Sequence, residues 1–192
     1  MPMFEVMASK FKSVAKRLGS RAALRLLRRE DGAAMVEFAL VVAPFLAMLF
    51  AIMETALVFF AGQTLETAAG DAARLVLTGQ AQSQGISQAN FKTDKVCPLI
   101  LGIFDCANGI GVDIQTYASF SQANMAKPVD AQGNLLNNYQ PGGPCSIVVV
   151  RLLYQFPVYV NLLGFNLADM GNNKHLLVAT SVFRNEPYAG TC

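Results

Sequence analysis

Residues 28–62 read R-R-E-D-G-A-A-M-V-E-F-A-L-V-V-A-P-F-L-A-M-L-F-A-I-M-E-T-A-L-V-F-F-A-G, and this stretch decides the architecture. From Phe38 to Met53 sixteen residues pass without a charge, and apolar character resumes from Ala56 to Ala61. A bilayer core of roughly 30 Å needs about 20 mostly apolar residues at the helical rise. Residues 35–61 supply that length if Glu37, Glu54 and Pro44 are accommodated. Lipid offers no partner to exposed backbone groups, so the segment is expected to be a helix. Pro44 removes one hydrogen bond and crowds the preceding turn, which predicts a bend.

Glu37 is the informative residue, because an unpaired carboxylate in lipid costs at least about 2–3 kcal/mol. It either sits among headgroups or has a partner. Gly32 stands five residues before it, a basic segment stands before that, and a long apolar run follows. This order resembles a type IV prepilin: basic leader, glycine at the cut, glutamate at the fifth mature position, hydrophobic helix. Cleavage between Gly32 and Ala33 makes Ala33 the first residue and Glu37 the fifth.

The resemblance narrows at Asp31–Phe45, D-G-A-A-M-V-E-F-A-L-V-V-A-P-F. It is similar to the TadE-like pseudopilins of tight-adherence (Tad/Flp) pilus systems, whose segment typically reads G-A-x-x-V-E-F-A-L-V-x-P. That family carries a second glutamate near the far end of the apolar run, the place of Glu54. V-F-R-N-E-P-Y (182–188) also looks like the family's ending. The resemblance implies several partners: a prepilin peptidase cutting after Gly32, other pilins and pseudopilins, and the inner-membrane assembly platform. It also implies that Glu37, with Phe38 beside it, sets assembly register by meeting the freed Ala33 amine of a neighbouring subunit. The implied place is the bacterial inner membrane or, after incorporation, an adhesive pilus. The major pilin of such systems is little more than leader and helix, so the large C-terminal part here points to a minor component. Glu54 has two readings, a carboxylate at the periplasmic boundary or one facing a partner helix.

Charge is distributed unevenly. Residues 1–32 carry eight Lys/Arg and three Asp/Glu, a charge of +5, and residues 33–192 carry seven and ten, −3. The basic character therefore belongs to the leader, and a remainder at −3 lacks the footprint of a nucleic-acid binder. Positive charge before the apolar run keeps that end in the cytoplasm and sends the rest to the periplasm. The leader's F-K-S-V-A-K-R-L-G-S-R-A-A-L-R-L-L-R-R also has the spacing of a basic amphipathic helix on an anionic bilayer surface. A conventional secretory signal is disfavoured by Glu37 inside the apolar region.

All four cysteines, Cys97, Cys106, Cys145 and Cys192, lie beyond the apolar run. An even number in an exported domain suggests disulfides. Of three possible pairings, Cys97–Cys106 with Cys145–Cys192 is favoured because the first closes a short local loop; free buried thiols are the alternative.

The chain divides into a leader (1–32), a transmembrane helix (33–62) and a periplasmic α+β domain (63–192). The expected fold is pilin-like, a long N-terminal helix continuing into a domain with a small antiparallel sheet. Leu65, Ala68, Ala69, Ala72 and Val76 extend the helix as an apolar stripe to about Thr78, with Gly79 at the helix end. Asp71 and Arg74 are spaced for an ion pair. Ser87 caps a short helix to about Lys95, with Ile86 and Phe91 placed as a staple. Strands are expected at 112–120, 147–156 and 176–184, with Asp113, Gln115 and Arg151 on the solvent side. Pro157 marks an interruption or an edge. Residues 121–145, rich in Pro, Gly and Asn, read as a long exposed connection. Residues 158–170 read as a short helix or a surface-seeking segment.

No catalytic constellation is visible. His175 is a lone histidine, the cysteine spacings contain no C-x-x-C, and Gly109-Ile110-Gly111 is too short for a phosphate loop. Glu37 and Glu54 are seventeen residues apart, about 25 Å along a helix, so they cannot form a carboxylate pair. The expectation is a non-enzyme without metal or cofactor. The rival readings are an uncleaved single-pass anchor carrying an interaction domain and, more weakly, a membrane-tethered enzyme.

Overall fold

A computed structural model describes residues 33–192, except 101, 103, 125, 161–165, 172, 189 and 191, with the backbone alone at 33 and 107. The leader and Gly32 lie outside the described residues. Helix α1 spans Ala33–Leu77, 45 residues with Pro44 inside it. The chain divides into two units, one ending at Leu49 and the other beginning at Phe50.

In the first unit the described residues are all helix, and their large apolar side chains face outward. Met35, Phe38, Leu40, Val41 and Phe45 are each more than 60% exposed. Among the described residues no protein layer covers them, the state expected of a helix whose solvent is lipid.

In the second unit α1 becomes a core element. Val58, Ala61, Leu65, Ala68, Ala69, Ala72, Ala73 and Val76 are buried, the 3–4 spacing of one face. Small side chains dominate that stripe and let the helix lie close to the sheet. The helix stops where Gly79 adopts φ +75°, a conformation costly for any residue with a Cβ. A Cβ there would also collide with the Tyr188 ring. Asp71 and Arg74 are exposed and make no ion pair with each other.

Three antiparallel strands follow, β1 (Ile110–Tyr117), β2 (Ile147–Pro157) and β3 (Lys174–Arg184), in the order β1-β2-β3. Ile114 pairs with Val150 and Val112 with Leu152 across the first seam, and Leu152 with Ala179 across the second. These side chains belong to the same buried cluster as the α1 stripe. Ser87 accepts the Asn90 N–H and starts a helical stretch that continues through a π turn at Phe91–Val96, where Phe91 is fully buried. Disulfides join Cys97 to Cys106 and Cys145 to Cys192, the favoured pairing.

Four expectations need correction. The first strand ends at Tyr117, and Ala118 and Phe120 lie outside it, with Phe120 57% exposed. Pro157 closes the central strand, so of its two readings the interruption holds and the edge does not. Residues 121–145 are more than an exposed connection, because Asn138 and Gln140 bond both backbone groups of Ile114 along the free edge of β1. Leu135 approaches Gly111 and Leu153 on the outer face, and Pro128 is buried. Finally, Asp113 and Arg151 do not face solvent. They pair directly across β1 and β2 and are buried, with Arg151 Nε donating to Asp113 Oδ2 at 2.8 Å.

Candidate functional site

Glu37 and Phe38 are exposed on α1, and among the described residues neither carries a side-chain hydrogen bond. Ala33 opens the helix. The carboxylate that the fold does engage is Glu54. It is 5% exposed, on the last turn before the buried stripe begins. Its Oε1 accepts the backbone N–H of Tyr159 and, at 3.0 Å, that of Val160; Oε2 also lies 3.0 Å from the Val160 nitrogen. The chain leaves β2 at Pro157, where two consecutive N–H groups have no strand partner, and Glu54 satisfies both. Thus the Glu54 carboxylate is neither exposed nor free. Its partner is its own domain, 105 residues along the chain.

Beside this latch a cleft of about 360 Å³ runs between α1 and β3. Val58, Phe59, Gly62 and Glu66 form one wall, and His175 to Val178 form the other. His175 Nδ1 lies 3.3 Å from Asp169 Oδ1, without a hydrogen bond between them. Asp169 gathers more contacts: the Leu176 N–H at 2.8 Å and the Lys127 ammonium at 3.2 Å. Burial pushes its carboxyl up, but the Leu176 amide, Lys127 and His175 together outweigh this and hold it below the ordinary aspartate range. The arrangement fastens the 123–140 segment to the end of the β2–β3 hairpin.

The deepest polar cluster lies on the outer face of the sheet. Asp113 accepts from Arg151, from Gln115 Nε2 at 2.9 Å and from Asn138 Nδ2 at 2.8 Å. Arg151 Nη1 donates to the Asn124 carbonyl at 3.2 Å. Arg151 also lines a cleft of about 340 Å³ with Ala126, Lys127, Pro128 and Asp169, and the cluster's hydrogen bonds hold the outer layer on the sheet. Among the described residues no group of three or more His, Cys, Asp or Glu is placed to hold a metal ion.

The sequence marks Glu54 without its partners, and its strand alternation places Asp113 and Arg151 on the surface. The sign of the ion pair was present in the strand alternation, where two opposite charges stand at matching positions of adjacent strands. Only the register says that they meet.

Together the exposed apolar helix and the α+β domain fit a class: a single-pass membrane protein whose long helix, the one candidate span among the described residues, also forms part of the domain core. Residues 32–74 match the family described as TadE-like protein, a stretch that holds Gly32, Glu37, Glu54 and most of α1. Over that stretch the chain is similar to TadE-like proteins. Neither a curated protein nor a solved structure matches the chain.

Proposed function

We propose that this protein is a minor pseudopilin, processed by prepilin peptidase after Gly32, that takes part in assembly or initiation of a Tad/Flp-type adhesive pilus. The observation that carries the reading is the TadE-like match over 32–74, which joins the Gly32–Glu37 spacing to the helix that enters the domain core. Such a family points to work among other pilus components. The function is one of assembly, without catalysis.

The physical roles follow from position. Basic residues before the helix hold the N-terminus in the cytoplasm and place the domain in the periplasm. Cleavage frees the Ala33 amine, and Glu37, exposed on the helix, is available to the amine of a neighbouring subunit. An ion pair formed in lipid fixes one axial offset, since breaking it leaves an uncompensated charge.

One observation favours a second reading, an uncleaved anchor carrying an interaction domain. Glu54 is fully engaged within its own chain, so this carboxylate needs no filament neighbour. Intact mass and N-terminal sequencing of membrane-extracted protein, with and without the peptidase, separate the two. A chain beginning at Ala33 only when the peptidase is present supports the pseudopilin; a chain still beginning near Met1 replaces it with the anchor. In a processed protein, Glu37→Gln is expected to insert normally and to assemble poorly.

A further inference from the structure

We propose that the turn after β2, Val158–Val160, is a second membrane-contacting element, with Tyr159 seated in the lipid headgroup boundary beside the transmembrane helix. This rests on the chain's being anchored by α1 and not on its being a pseudopilin.

Three observations lead there. The uncharged run before Glu54 is sixteen residues, short of the roughly 20 that a bilayer core requires. Lipid contact therefore extends to Glu54 or past it, or the span is completed on the other side by residues 33–37. In each case Glu54 stands at the bilayer edge or within it. Second, Glu54 is the residue that holds the turn, so Tyr159 and Val160 sit at the same depth. The latch also satisfies the two backbone N–H groups, which lowers the cost of bringing this non-helical backbone to the lipid boundary.

Third, the surface at this level is apolar and uncovered. Phe50, Met53, Leu57 and Phe60 are each more than half exposed on α1, and Tyr159 is 81% exposed. Among the described residues the Tyr159 hydroxyl has no partner. An aromatic ring with an apolar body and a wet polar tip is the side chain enriched at membrane boundaries. The occupant of this surface is lipid because the surface continues the exposed apolar face of the membrane helix around Glu54.

The chain contains no tryptophan, so a single one reports its own surroundings. Tyr159→Trp in the full-length protein is reconstituted into phosphatidylcholine–phosphatidylglycerol vesicles at high lipid-to-protein ratio, with and without brominated acyl chains. Phe120→Trp serves as reference, because Phe120 is exposed and follows Tyr117 at the sheet end shared with Ile147 and Arg184, away from Pro157. The expected result for Tyr159→Trp is blue-shifted emission, most of it lost to bromolipid and little to aqueous iodide, with the opposite pattern for Phe120→Trp. Equal iodide quenching of the two variants places the turn in water and overturns the proposal. If the Tyr159→Trp emission is shielded from iodide and bromine alike, the proposal is overturned too, and the surface is assigned to a protein partner. Both outcomes leave the processing test untouched.

Discussion

The Glu54 carboxylate accepts the Val160 backbone N–H with both oxygens 3.0 Å from the nitrogen, and so ties the membrane helix to the turn that ends the central strand. The same residue was legible as an anomaly in an apolar run. The relationship explains it: a buried acceptor meets two backbone donors that have no strand partner.

Removing the acceptor should therefore destabilise the domain. Glu54→Ala leaves two N–H groups unpaired at a partly buried site, a loss of about 1–3 kcal/mol. Glu54→Gln keeps a carbonyl oxygen in place and loses less. Denaturant unfolding in detergent micelles checks the order; equal stability of all three proteins would show that the latch carries no weight.

Asp113 and Arg151 should be strongly coupled. Asp113→Ala strands a buried guanidinium, and Arg151→Ala a buried carboxylate, at about 3–5 kcal/mol each. The double variant is expected to cost much less than the two single losses added together. Additivity in a double-mutant cycle would contradict the pairing.

The two disulfides should differ in weight. Cys145–Cys192 joins residues 47 apart and Cys97–Cys106 residues 9 apart. Loop-closure entropy assigns about 4 kcal/mol to the longer and about 2.5 kcal/mol to the shorter. Thermal unfolding of Cys145→Ser/Cys192→Ser should fall further than that of Cys97→Ser/Cys106→Ser. The reverse order would mean that local strain outweighs chain entropy.

Acid should weaken the Asp169 junction. Its folded carboxyl lies below the unfolded value of about 3.8, so the folded form holds fewer protons there. That contribution is complete at neutral pH, declines as the pH falls through the unfolded value, and is gone below the lowered folded one. Asp169→Asn should be less stable than the parent at neutral pH, with the gap closing on acidification below about pH 4. A gap independent of pH would assign the loss to packing.

Much of the fold is readable from local pattern. The stripe Leu65–Val76 repeats at helical spacing, and the helix from about Met35 to Thr78 is found at Ala33–Leu77. The alternation in 147–156 locates the central strand to within a residue. The first strand is displaced because the apolar series continues through Ala118 and Phe120, while pairing with β2 runs out at Tyr117–Ile147. Residues 121–145 look exposed because their turn residues advertise loops, yet their backbone groups close the edge of β1. Composition does not record which backbone groups a loop will bond.

Residue order alone is enough for the membrane helix, its passage into a core-facing stripe, the three strands and the asymmetry of charge. These follow from short-range periodicity and from the cost of placing charge in lipid. The folded chain was needed to learn what Glu54 does, that Asp113 and Arg151 are buried together, and that the 121–145 segment forms a second layer over the sheet. Each of those rests on groups 22 to 106 residues apart in the chain. Such contacts depend on register and loop closure, and no local pattern encodes them.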